Sequence, residues 1–77
     1  VPRDAEVQEN LGRYHAAMGN QFDGHLHFAR AFAYKRQFTK YTFHLQKAEA
    51  LAVRTDQQAK LRALRDEIAE YREILGI

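Results

Sequence analysis

Seventy-seven residues allow one domain at most, and the absence of cysteine removes any disulfide support. A chain of this size buries only roughly 60% of the surface its unfolded form exposes. The 45% hydrophobic and 12% aromatic content nevertheless argues for a folded core, and a net charge of +2 is too mild to mark a nucleic-acid binder.

Pro2 lies at the N-terminus, where it interrupts nothing. Asp4 suits an N-cap, and Glu6 and Glu9 suit the positive end of a helix dipole. Val7, Leu11, Tyr14 and Met18 then recur at i, i+4, i+7 and i+11, one face of a first helix near 4–18. Gly19-Asn20 ends it, since both tolerate the left-handed conformation.

A second helix is predicted near 21–36. Leu26, Ala29 and Ala33 share one line, with Phe28, Ala31 and Phe32 beside it. Such a wide apolar face is expected of a helix packed on two sides. Residues 37–45 are rich in β formers, but a lone strand has no partner here. A helical stripe through Phe38, Tyr41, Leu45, Ala48 and Ala52 predicts a third helix near 38–53. A break near Arg36–Thr39 and one uninterrupted helix from Phe22 to Val53 are both open, because the sequence offers no strong stop signal. Between Gly24 and Gly76 there is neither glycine nor proline, which is hard to reconcile with a sheet protein.

Arg54-Thr55-Asp56 forms the next turn, and Thr55 followed by Gln58 fits a capping box. Leu61, Leu64, Ile68, Tyr71 and Leu75 step by 3, 4, 3, 4, a heptad seam on a last helix near 56–75. Asp66, Glu67, Glu70 and Glu73 share its wet faces with arginines. The seam closes the bundle against residues 38–52, with pairing to another chain as the alternative. The fold expected is an all-α antiparallel bundle of three or four helices. No stretch approaches the ~18 apolar residues of a membrane span. The first residue is Val and not Met, which predicts a processed or partial chain.

Residues 8–31 resemble one tetratricopeptide repeat, a helix–turn–helix unit of about 34 residues. Leu11 and Gly12 match the family's Leu-Gly pair, and Gly19 matches the turn glycine. Gly24 stands at the small-residue position of the second helix, followed by Phe28 and Ala31. Gln8 replaces the usual tryptophan, His15 a tyrosine and Arg36 a proline. Shifting the pattern by one repeat length places Gln46 and Gln58 at the glycine positions, so no second copy follows. The resemblance implies close helix crossing at Gly12 and Gly24, and a peptide or helix held by the first hairpin.

Candidate chemistry is sparse. His25 and His27 diverge by ~200° on a helix and cannot share a metal ion. His15 and His44 have no ligand neighbour at helical spacing, although His15 could meet His25 or His27 across the turn. With no Cys or Ser and no glycine-rich phosphate loop, neither catalytic residues nor a cofactor or metal site is predicted. Residues 21–54 do hold six basic side chains against two acids. Arg30, Tyr34, Lys35, Arg36, Phe38, Lys40, Tyr41, Phe43, His44 and Lys47 interleave cations with rings. Phosphates need Lys and Arg, and exposed rings stack on bases.

The function expected is therefore non-catalytic protein–protein interaction in the cytoplasm, as an adaptor, chaperone-like factor or small regulatory subunit. Its partner is another protein, a peptide or a second copy meeting a helical face. Arg13, Asn20, His27, Tyr34, Lys35, Arg36 and Lys40 are the expected contacts. Leu11, Gly12, Gly24, Phe28, Ala31 and the heptad residues are expected to pack helices. Nucleic-acid binding through residues 30–47 is the alternative.

Overall fold

The first two reversals of the chain, and the end of its last helix, are built by helix C-termini whose last carbonyls find partners. The computed structural model describes residues 3–77, with α1 (Ala5–Ala17), α2 (Gln21–Tyr34), α3 (Phe38–Leu51) and α4 (Thr55–Leu75), and no strand among them. After α1, the Gly19 N–H donates to the Ala16 carbonyl and the Asn20 N–H to that of His15. After α2, Arg36 donates to Ala33 and Gln37 to Phe32; after α4, Gly76 donates to Glu73 and Ile77 to Arg72. All three are Schellman closures, which need a left-handed residue at the pivot. Gly19 and Gly76 supply it at φ 82° and 77°, but the middle one falls on Arg36 at φ 61°. The middle segment is thus two helices and not one.

At the helix starts, Asp4 accepts from the Val7 N–H at 3.2 Å and Asn20 from the Asp23 N–H at 3.2 Å. At α4 the expected capping pair shifts by one residue. Gln57, not Gln58, turns its Oε1 back to accept from Val53 and Arg54 N–H, both at 3.0 Å. The N-cap is Arg54, and Thr55 is already the first helical residue.

α2 is the axle. α1, α3 and α4 all pack on it, α3 and α4 also touch each other, and α1 touches no other helix. The main core lies among α2, α3 and α4: Phe22, Leu26, Ala29, Ala33, Tyr41, Ala48, Leu61, Leu64 and Ile68. The seam of α4 is thereby spent inside the chain. Its first three members are buried, whereas Tyr71 and Leu75 are half-buried where the bundle ends.

The face of α1 needs correction. Leu11 is expected to pack helices, but it is 36% exposed, and Val7, Tyr14 and Met18 on the same face are 49%, 59% and 69% exposed. Leu11 is the least exposed of the four. The face turned to α2 is instead the small one, with Gly12 buried and Ala16 half-buried. A Cβ on Gly12 would lie 3.0 Å from the Phe28 ring, and one on Gly24 would lie 3.4 Å from the Gly12 carbonyl and the Ala16 amide. Absent side chains let the two backbones approach, and no large residue of α1 is needed at the crossing.

Candidate functional site

The exposed row on α1 is three residues from Gln8 and four from His15 at its Leu11 position, so it borders the edge those residues form. That edge meets His27 of α2. Gln8 Oε1 lies 2.8 Å from His27 Nδ1, and the His15 and His27 rings stack with centroids 5.2 Å apart. His27 in turn lines a cavity of about 240 Å³ with Asp23, Leu26, Arg30, Lys60 and Ala63. The apolar flank of α1 thus stands near a hollow between α2 and α4 that His27 lines. Burial, with Arg30 and His15 nearby, holds the His27 pKa below its ordinary value.

The other expected contacts do not converge. Arg13 is exposed, donating to Asn10 at 2.8 Å and to Glu9 at 3.2 Å. Asn20 is occupied as the α2 cap, its amide also donating to Asp23. Tyr34 faces α4, where its hydroxyl donates to Glu67 and Arg30 Nε reaches the other carboxylate oxygen at 3.0 Å. Burial and that hydrogen bond push the Tyr34 pKa up to about 12. Glu67 is therefore a clamp between α2 and α4, not part of a solvated face and not a free base. Lys35 pairs with Glu9 of α1. Arg36 holds the α2–α3 turn, and Lys40 lies 5.3 Å above the Phe32 ring.

On the α3 side, His25 and His44 bring their Nδ1 atoms to 3.0 Å. The His44 ring also lies against Phe28, Phe32 and Phe43. Burial lowers both pKa values, with Lys47 adding to the effect on His25 and His25 to that on His44. This pair was not legible from spacing, because partners 19 residues apart meet only when the hairpin register is known. Outside it, α3 presents Phe43, 53% exposed, with Lys47 at 5.3 Å from its ring.

Among the described residues no group of three or more His, Cys, Asp or Glu could hold a metal ion. None of their helices is long and apolar enough to cross a membrane. In comparisons with protein-family models, curated proteins and solved structures, nothing matches this chain.

Proposed function

We propose that this chain is a non-catalytic protein-interaction module that offers the outward face of α1 to an apolar helical face of a partner. The observation that carries this reading is the row Val7, Leu11, Tyr14 and Met18, each more than a third exposed. Its i, i+4, i+7, i+11 spacing is that of helix-to-helix recognition, and clustered apolar exposure on a small soluble surface marks contact sites. The one-unit tetratricopeptide resemblance agrees with peptide or helix binding at this hairpin. A second copy of the chain would meet the same face, and the lack of cysteine suits a reducing compartment such as the cytoplasm.

Nucleic-acid binding has one observation in its favour, the Lys40–Phe43–Lys47 row on α3. It is weakened by the ion pairs Arg30–Glu67, Lys35–Glu9 and Arg54–Asp56, which occupy half of the mid-chain cations. Sedimentation velocity of the chain alone, with cell extract proteins crosslinked to it, and with single-stranded nucleic acid separates the readings. Leu11→Glu with Met18→Glu should abolish protein association and leave the chain folded. Loss of association in Lys40→Glu with Lys47→Glu instead, with steep salt dependence, would overturn the protein-binding reading.

A further inference from the structure

A second cavity, of about 350 Å³, opens between α3 and α4, away from α1, and is lined by Tyr41, Arg65, Ile68, Ala69, Arg72 and Ile77. Tyr41 comes from α3, where its ring packs edge-on against Phe38. It is only 7% exposed, yet among the described residues its hydroxyl has no hydrogen-bond partner. Tyr41 is also one of the residues that line the cavity. Burial raises the Tyr41 pKa above its ordinary value.

The two arginines differ. Arg65 pairs with Glu49. Arg72 lies with its guanidinium carbon 4.4 Å above the Phe38 ring and has no carboxylate partner among the described residues. The cavity therefore offers the exposed Arg72 guanidinium, which has no side-chain carboxylate partner among the described residues, beside Tyr41 and the apolar side chains of Ile68, Ala69 and Ile77. A guanidinium fixed on a ring presents paired N–H donors to a carboxylate. One guanidinium without a side-chain carboxylate partner suits a carboxylate better than a phosphate dianion, and the apolar side chains suit a hydrocarbon body.

The geometry points to a binding site for a small carboxylate carried on an apolar group, with Arg72 and the Tyr41 hydroxyl holding the carboxylate. The site is independent of the α1 surface. Titration of the isotope-labelled full chain with hexanoate, read by NMR shifts, tests it, with hexanol and inorganic phosphate as parallel probes. Hexanoate should shift the signals of Tyr41, Ala69 and Arg72 and saturate. Arg72→Gln should weaken it about tenfold or more and Tyr41→Phe about fivefold, as loss of a charged and a neutral hydrogen bond. Arg62→Gln, an exposed position of α4 outside the cavity, should bind as the wild type. Melting curves verify that each variant is folded. Equal binding of hexanol reduces the site to an apolar hollow, and equal binding of phosphate reduces it to bare charge. Either result, an equal loss in Arg62→Gln, or no saturation with hexanoate overturns the proposal.

Discussion

Two small-scale features decide how this chain behaves, the glycines of the first crossing and the histidine pair of the second. At Gly24 an added Cβ meets backbone at ordinary contact distance, so alanine fits and removes a helix-breaking residue. A longer side chain has nowhere to go between two backbones. Gly24→Leu should lower stability by about 1–3 kcal/mol through overpacking, while Gly24→Ala should be neutral or stabilising; chemical denaturation of both decides it. Equal midpoints for Leu and wild type would mean that the backbones do not approach there. The histidines give a pH dependence of definite sign. His25, His27 and His44 all have pKa values lowered from 6.5, with burial as the leading cause. The folded state thus favours neutral rings. The shared Nδ1 contact of His25 and His44 also admits at most one charged ring, since two imidazolium N–H donors would face each other. Above pH 6.5 this stabilisation is fully present. Below it the unfolded chain takes up protons that the native state resists, and stability falls until the folded pKa is passed. His44→Phe, which suits the surrounding Phe28, Phe32 and Phe43 rings, should flatten the decline of melting temperature below pH 6.5. An unchanged slope would place the pair outside the stability balance.

At the level of helices, the legible boundaries are those written in glycine and capping residues. Asp4, Gly19-Asn20 and Gly76 mark ends that the structure keeps within a residue or two. The α2–α3 break was illegible for a physical reason: its left-handed pivot is Arg36, a residue with no preference for that conformation. The closure is held by the Arg36 and Gln37 amide hydrogen bonds rather than announced by composition. Left-handed φ costs a non-glycine residue about 1–2 kcal/mol, and glycine loses somewhat more chain entropy on folding. Arg36→Gly should therefore stabilise by about 0.5–1 kcal/mol, measured by denaturant midpoint; a loss of stability would show that the arginine side chain is itself needed at the turn. The face of α1 was misread because two rules compete on it. Apolar size points to Val7, Leu11, Tyr14 and Met18, whereas close approach points to Gly12 and Ala16, and α2 takes the small face. On α4 the two rules agree, and Leu61, Leu64 and Ile68 are buried as their spacing requires. The candidate surface was visible as a motif with the wrong destination. The cross-helix pairs, His27 with Gln8 and Tyr34 with Glu67, depend on register and were not visible at all.

Considered as one molecule, the chain is a three-helix core with a fourth helix laid along its axle. No residue of α1 belongs to the core cluster or to the half-buried shell packed on it. α1 is held by the Gly12–Phe28 contact, the Gln8–His27 and His15–His27 contacts, and the Lys35–Glu9 pair. The chain just before it adds Arg3, 4.6 Å above the Tyr71 ring. α1 runs closely along the α2 backbone, yet it places no large side chain in the core, whereas α4 is anchored there by the buried Leu64 and Ile68. Opening of α1 should therefore have its own, lower free energy, in the manner of a separate cooperative unit. Native-state hydrogen exchange should show the amides of Gly12 and Arg13 exchanging faster than those of Leu64 and Ile68. Their exchange should also depend more weakly on denaturant, since less surface is exposed. If all four amides share one opening free energy and one denaturant slope, α1 is an integral part of the core. A partner seated on Val7, Leu11, Tyr14 and Met18 would slow exchange in α1 first. That ordering ties the surface to the energetics, because the helix that offers the contact face is also the one with most stability to gain from being covered.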